Sequence, residues 1–225
     1  MVARPASRAL SSGHSSRVSI FETIVAGDEE RLKEQLDAQP DLAGAKNEDG
    51  LSTVLHALYN GKGELVEVLL EANPALDVFD AAAVGRTRGL EELLDGEAEL
   101  ARSWSPDGFT ALHLAAFFGQ EDAARILLER GAGVGLVARN ASIHVTPLHS
   151  AASGAHPGIV RLLLEHGADP NAGQDGGFTP LHSAAANDDR DSVEALLEAG
   201  ANPALANDEG KTPAELAGDG VRDLL

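Results

Sequence analysis

The stretch Val145–Ala172 reads VTPLHSAASGAHPGIVRLLLEHGADPNA, and its parts return elsewhere in the chain. Thr-Pro-Leu-His occurs at Thr146 and again at Thr179, and Thr-Ala-Leu-His occurs at Thr110. The residue numbers of these threonines increase by 36 and then by 33. The phrase Leu-Leu-Glu-x-Gly-Ala keeps the same spacings and begins at Leu127, Leu163 and Leu196. Self-similarity at such a fixed period predicts a stacked array of small units.

Each repeated unit has the features of two short helices. Thr110 is suited to cap a first helix, because a threonine oxygen satisfies a free backbone N–H at a helix start. Pro147 and Pro180 follow their threonines at the first helical position, where the missing N–H of proline costs nothing. The phrases ARILL, VRLLL and VEALL then place apolar residues on one face of a second helix.

The N-terminal half carries a weaker version of this pattern. Thr-Val-Leu-His stands at Thr53–His56, and a C-terminal variant, Thr-Pro-Ala-Glu, stands at Thr212–Glu215. The segments that begin at Ile20 and at Val78 align with each other without a gap, which indicates a duplicated pair of units. Two full units do not fit between Thr53 and the next motif threonine, so residues are missing near the segment EANPALDVFD.

Together, Thr-Pro-Leu-His, the paired alanines and Leu-Leu-Glu-x-Gly-Ala at a 33-residue period resemble ankyrin repeats. The resemblance implies an all-α solenoid of stacked helix-turn-helix repeats with short β-hairpin fingers. It covers residues 18–225 and implies six to seven repeats, of which the third is abbreviated and the last is truncated. It also implies a structural role for the motif histidines, which are His56, His113, His149 and His182.

Composition and charge exclude several classes of function. The 225 residues include 36 Asp and Glu against 17 Lys and Arg, a formal net charge of −19, so nucleic acid and anionic membranes would repel the chain. The chain has no cysteine, and therefore no disulfide, thiolate metal site or thiol nucleophile. No apolar run approaches the roughly 18 residues that span a bilayer. We expect a cytoplasmic location.

Residues 1–17 differ from the rest of the sequence. They contain Arg4, Arg8 and Arg17, many serines and no acidic residue. This composition weakly resembles a transit peptide, although the segment has too little apolar length for a secretory signal. The alternative, which the Ser, Gly and Pro content favours, is a disordered tail ahead of the repeat domain.

The sequence contains no pattern typical of a catalytic or metal site. A zinc site needs three or four converging ligands, and no cluster of histidines or acids has such spacing. The acidic run Asp188–Asp191 lacks the alternating ligands of a calcium loop and suits the start of a helix. No nucleotide-binding loop, nucleophile elbow or His-Glu-x-x-His motif is present. We therefore expect that the protein is not an enzyme and that it binds no cofactor or metal.

A binding surface is expected on the concave side of the array, where solenoids present an extended groove. The resemblance places the residue before each motif threonine on a finger that faces this groove. Phe117 and Phe118 end a first helix, where either one packs between repeats and the other is exposed, or both form an aromatic anchor. The 36-residue spacing before Thr146 predicts a longer finger that takes part in binding. The predicted binding residues are Phe109, Phe117, Phe118, Arg139, Asn140, Ile143, His144, Ser153, Asp175, Phe178, Asn187 and Lys211.

The expected function is the binding of another protein through this groove. Acidic fingers predict a partner with a basic surface and an apolar anchor, because charge steers association and aromatic burial slows dissociation. We expect a monomer that binds neither nucleic acid nor membrane. Two alternatives stay open, a structural unit that associates with itself and an enzyme whose site has no familiar motif.

Overall fold

The computed structural model describes residues 18–225, which form a stack of paired helices. The tail predicted for residues 1–17 lies outside the described residues. The first helices of the pairs are α1 (Ile20–Ala26), α3 (Thr53–Tyr59), α5 (Val78–Ala83), α7 (Ala111–Phe117), α9 (Pro147–Ser153), α11 (Pro180–Ala186) and α13 (Pro213–Leu216). The second helices are α2 (Glu29–Ala38), α4 (Gly63–Glu71), α6 (Thr87–Gly96), α8 (Glu121–Glu129), α10 (Pro157–Glu165) and α12 (Arg190–Glu198). Short 3-10 turns lie at Pro40–Gly44, Ala98–Arg102, Asp175–Gly177 and Arg222–Leu224.

The helices pack in two rows, which confirms the predicted all-α solenoid. First helices pack on first helices from α5 through α13, and second helices pack on second helices from α6 through α12. The paired alanines make the close approach within the first row possible, since their small side chains let backbones come together. They are fully buried at Ala115, Ala116, Ala151, Ala152, Ala184 and Ala185.

The segments that project between helix pairs, which we call fingers, are tight turns. A backbone hydrogen bond closes each one, between the N–H of its first residue and the carbonyl oxygen of its last, at 2.7–2.9 Å. The five fingers comprise residues 47–51, 105–109, 138–145, 174–178 and 207–211. Within residues 18–225, β pairing is limited to two isolated bridges, Lys46 with Ser52 and Trp104 with Thr110, so the fingers have hairpin form without extended strands.

Neighbouring fingers contact one another through their backbones. The N–H of Arg139 donates to the carbonyl oxygen of Gly108 at 2.7 Å. Gly108 has a φ of +89°, and a Cβ there would lie 2.5 Å from the backbone of Arg139. Only glycine fits this approach, and the bond fixes the 138–145 finger against the 105–109 finger.

Each first helix follows a capping residue with an oxygen-bearing side chain. The seven N-caps are Ser19, Ser52, Asp77, Thr110, Thr146, Thr179 and Thr212. Their residue numbers increase in steps of 33, 25, 33, 36, 33 and 33. The short step falls between Ser52 and Asp77, where residues 72–77 link α4 directly to α5 without a finger. We call residues 72–77 the short connection.

The assignment of the repeat motif to Thr53–His56 is wrong by one residue. Ser52 is the N-cap, because its hydroxyl accepts the N–H of Leu55 at 3.0 Å. Leu55 therefore occupies the position that His113 holds three residues after Thr110. The gapless alignment of the segments that begin at Ile20 and Val78 has the correct register, whereas the four-letter match does not.

The apolar core is divided at the short connection. One cluster of buried residues comes from α1–α4 and a larger one from α5 onward, and Leu76 of the short connection packs against both. A small third cluster joins α3, α5 and α7 on the groove side through Leu55, Ala83 and Leu114. Elsewhere on this junction, a cavity of about 620 Å³ is lined by Leu70 of α4 and Leu93 of α6. The first two helix pairs are thus joined to the rest of the array less tightly than other neighbours.

Candidate partner-binding groove

Three histidines in the C-terminal half link neighbouring repeats. In each, Nδ1 lies 2.7–2.9 Å from the hydroxyl of the capping threonine, in the pairs His113–Thr110, His149–Thr146 and His182–Thr179. Nε2 lies 3.0–3.3 Å from a carbonyl oxygen of the next finger, at Val145, Phe178 and Lys211 respectively. Because a carbonyl oxygen only accepts, Nε2 donates and Nδ1 accepts from the threonine. The predicted structural role is confirmed for these three residues.

These rings are neutral near pH 7. Burial lowers the pKa of His113 to about 4, and burial also lowers the pKa values of His149 and His182 below the usual value of 6.5. The bonds from Nε2 to carbonyl oxygens oppose this shift but are the smaller effect. With both ring nitrogens engaged, none of the three is free to transfer a proton.

His56 does not share this arrangement. Its Nε2 is buried without a hydrogen-bond partner among residues 18–225, and its ring meets Phe21 edge-on at 5.2 Å between centroids. Burial lowers its pKa. The structural role that the motif implied for His56 is therefore wrong in its detail, since the residue neither caps a helix nor bonds to the next finger.

A cavity of about 750 Å³ opens in the groove beside the place where the short connection leaves out a finger, although residues 72–77 themselves do not line it. The short connection supplies no finger between the 47–51 and 105–109 fingers, so the ends of α3 and α7 are left uncovered there. The finger residues that line the cavity are Leu51, Asp107, Phe109, Asn140, Ile143, Val145 and Gln174. The helix residues that line it are Leu58, Tyr59, His113, Leu114, Phe117, Ser150 and Ser153.

Five of the predicted binding residues lie together on this cavity. Phe117 and Ile143 are 45% and 48% exposed, which is unusual for such large apolar side chains and leaves them available for contact. Phe109 is half-buried beneath them, and Asn140 and Ser153 add polar groups to the wall.

Three other predicted residues are engaged within the chain. Phe118 packs against the small groove-side cluster, so the phenylalanine pair divides into one half-buried and one exposed ring. The Arg139 guanidinium lies 3.5 Å from the centre of the Trp104 ring, a cation–π contact. The Asn187 amide donates to the carbonyl oxygens of Ala152 and Ser153, both at 3.0 Å.

The remaining four predicted residues lie outside the cavity, on the 138–145 finger and the two fingers that follow it. His144 Nδ1 and the Asp175 carboxylate are 2.5 Å apart, which links two of these fingers at their exposed tips. The Phe178 ring meets His182 at 5.6 Å, and Lys211 pairs with Glu209 at 3.0 Å. These side chains do not line the cavity.

The cavity holds an oriented carboxylate that is not paired with a cation. The Tyr59 hydroxyl donates to Asp107 Oδ2 at 2.7 Å, across the gap that the missing finger leaves. The Ser105 hydroxyl donates to Oδ1, and the Asn140 amide holds the backbone carbonyl of Asp107 at 2.8 Å. Within residues 18–225, no Lys, Arg or His forms an ion pair with Asp107. Burial, and then the bond to Asp107, raise the pKa of Tyr59, so its phenol stays a neutral donor.

Sequence reasoning missed Tyr59, Leu58 and Leu114 as groove residues. The sequence did contain an indication for Tyr59, because the alignment of the segments that begin at Ile20 and Val78, when extended, pairs Tyr59 with Phe117. Both end a first helix and both remain exposed, at 41% and 45%. Leu58 is half-buried and Leu114 is only 2% exposed, so neither could be recognised from the sequence as part of a surface.

Residues 18–225 contain neither a metal site nor a membrane-spanning helix. In this range, no three His, Asp or Glu side chains come together in a way that could hold a metal ion. None of its helices combines the length and apolar character that crossing a membrane requires.

Comparisons with known proteins agree with the architecture. A family model described as ankyrin repeats (3 copies) matches residues 20–138 and 135–207. The putative E3 ubiquitin-protein ligase XBAT31 of Arabidopsis thaliana is 28% identical over 180 residues, which cover 72% of this chain and 40% of that protein. The palmitoyltransferase Hip14 of Drosophila melanogaster is 35% identical over 94 residues, 42% of this chain and 14% of that protein. The neurogenic locus notch homolog protein 1 of Mus musculus is 30% identical over 134 residues, 60% of this chain and 5% of that protein. The chain spans less than half the length of each.

Proposed function

Since the chain belongs to the ankyrin-repeat family, whose repeats generally act as protein–protein interaction modules, we propose that it binds a partner protein through its concave groove. The observation that carries this proposal is the apolar cavity at the short connection. Its exposed Phe117 and Ile143 form the kind of concave apolar surface that anchors partners.

The charge of the chain supports a partner with a basic surface. Acidic residues outnumber basic ones by 36 to 17, and Asp107 stands within the cavity wall itself. The cations on nearby fingers are already engaged, Arg139 on Trp104 and Lys211 on Glu209. A basic partner would be steered toward this groove, whereas nucleic acid and anionic membranes would be repelled. We propose that the chain acts in the cytoplasm as a monomer.

No catalytic activity is proposed for the repeat array. The family is typically non-enzymatic, and the ligase and transferase activities in the names of two relatives belong to proteins of which this chain matches 40% and 14%. His113, the histidine that lines the cavity, has both ring nitrogens bonded, to Thr110 and to the Val145 carbonyl. That engagement favours a binding surface over general acid–base chemistry.

The test is affinity capture with the full chain and a matched pair of double variants. Phe117→Ala with Ile143→Ala removes the two exposed apolar side chains of the cavity. Val25→Ala with Leu205→Ala is the control, because those side chains are 52% and 36% exposed and lie elsewhere. We expect wild type and control to retain the same partner from a lysate of the source cells and the cavity variant to lose it. Equal capture by all three would overturn the groove as the binding surface.

A further inference from the structure

We infer that the cavity at the short connection recognises a short linear segment of the partner, in which a bulky apolar side chain stands next to a Lys or Arg that pairs with Asp107. This inference rests on the proposed function and narrows it. It replaces the general expectation of a basic partner surface with a specific one, a single apolar anchor side chain next to a single cation.

The shape of the cavity favours an extended segment. Its volume of about 750 Å³ is typical of pockets that bind ligands. A cavity of this size can accept a few side chains. The first part of its lining along the chain includes the apolar side chains of Leu51, Leu58, Phe109 and Phe117. The later part adds the polar groups of Ser150, Ser153 and Gln174, which suit the backbone of an extended chain. A lining that combines apolar side chains with such polar groups suits a linear segment.

The carboxylate of Asp107 supplies the charge preference. Hydrogen bonds from Ser105 and Tyr59 fix its two oxygens in orientation, and no cation of residues 18–225 neutralises it. A carboxylate beside apolar side chains loses hydration when the cavity fills, unless a cation of the partner replaces the water. An incoming Lys or Arg would take the place of the Tyr59 hydroxyl on Oδ2 or share that oxygen with it.

The missing finger explains why the groove is open between α3 and α7, where the cavity begins before it continues to the 138–145 finger and α9. At the junctions from Thr110 onward, a finger stands before each first helix and the motif histidine bonds to the finger that follows. At the short connection the position of the histidine is held by Leu55, and no finger stands before α5. The site is therefore a product of the abbreviated interval between Ser52 and Asp77.

The experiment is a selection of random displayed peptides against the full chain, followed by measurement of their affinities. We expect selected peptides to share an apolar residue next to Lys or Arg and to lose about tenfold in affinity, along with their preference for the cation, on Asp107→Asn. Asp37→Asn is the control, since Asp37 is an exposed carboxylate on α2, and it should change affinity less than twofold.

Several results would overturn the inference. These are the absence of enriched peptides, enrichment without a cation, or equal losses with Asp107→Asn and Asp37→Asn. A synthetic peptide of residues 1–17 that displaces the selected peptides would make the chain's own N-terminal segment the occupant. Sedimentation that shows dimers lost on Phe117→Ala would make it a second copy. If affinity capture depends on Phe117 and Ile143 while selected peptides ignore Asp107, the proposed function stands and this inference fails.

Discussion

The two halves of the array begin their helices with different chemistry. In the C-terminal half, Thr110, Thr146 and Thr179 each pair with a buried histidine that also bonds to the next finger. In the N-terminal half, Ser19, Ser52 and Asp77 are the caps, and the third residue after each is Glu22, Leu55 and Asp80. None of those three bonds to a following finger, so this link from a first helix to the next finger belongs to the histidines.

Asp80 shows what replaces the histidine in α5, directly after the short connection. Its side chain is buried, and it accepts a hydrogen bond from the Ser52 hydroxyl across the divided core. Burial, and then the charge of Asp77, raise the pKa of Asp80 to about 6. The link between the second and third helix pairs therefore depends on a carboxyl group, whereas later links depend on neutral imidazoles.

The largest expected effect is a difference between the halves in acid. The pKa of His113 is about 4 in the folded chain and 6.5 once unfolding exposes the ring, so the folded state binds fewer protons and stability falls as the pH drops from 6.5 toward 4. This lowering of the pKa corresponds to a loss of about 3 kcal/mol in the free energy of unfolding from His113 alone. The pKa of Asp80 is raised, so its contribution has the opposite sign, being full below pH 3.8 and lost as the pH rises through 6.

Hydrogen exchange at pH 7 and pH 4, corrected for intrinsic rates, measures how much stability each half of the array loses in acid. Protection should fall mainly in α7–α12 and less in α1–α5. Equal loss in both halves at pH 4 would contradict the assignment of the acid response to the histidines.

His149→Leu should destabilise the chain by about 2–3 kcal/mol. Leucine fills similar space but leaves the Thr146 hydroxyl and the Phe178 carbonyl oxygen without their buried partner. The matched control is Leu55→Met, at the same position after its cap, which should cost less than about 1.5 kcal/mol. Urea unfolding of both variants makes the comparison, and equal losses would show that burial rather than hydrogen bonding gives the histidine its importance.

Asp80→Asn should stabilise the chain by about 1–2 kcal/mol at pH 8, because it removes a buried charge that the folded state disfavours. The oxygen of asparagine can still accept from Ser52. The gain should shrink as the pH falls below 6, where Asp80 is protonated. A variant that is less stable than wild type at pH 8 would mean that the ionised carboxyl is needed at the short connection.

Deletion of residues 141–143 should have the smallest effect, a change in Tm of less than about 2 °C, which is the size expected for a surface change. Ala141 and Ile143 are exposed at the tip of the longest finger, while the bonds that fix this finger use Ala138, Arg139 and Val145. Partner binding should weaken because Ile143 lines the cavity. Thermal unfolding and affinity capture check both parts, and a large drop in Tm with intact binding would make the tip a structural element.

Much of the fold could be predicted from the sequence, because its causes are local. Thr-Pro-Leu-His encodes a cap, a first turn and the histidine link in four adjacent residues. Ser52 was not recognised as the capping residue because the four-letter motif begins with threonine, although serine caps a helix in the same way. Asp77 was missed as a cap for the same reason.

The site could be predicted only in part, because it depends on what the stack leaves uncovered. Phe117 and Ile143 were predicted from helix-end and finger positions. The cavity itself follows from a missing finger, and its effect on α3 and α7 appears only once helices are placed side by side. The contact of the Arg139 guanidinium with the Trp104 ring was not predicted, because the two residues are far apart in the sequence and no local pattern reports their contact.

The divided core has a mechanical consequence. A chain pulled from its two ends loads all of its junctions in series, so the junction with the least shared apolar packing yields first. That junction is the short connection, where Leu76 packs against both large clusters. Residues 72–77, drawn straight, span roughly 20 Å, which is the largest distance that this segment can bridge between the two halves before either half unravels. Under tension, the protein would behave as two stiff rods of unequal length joined by a short tether.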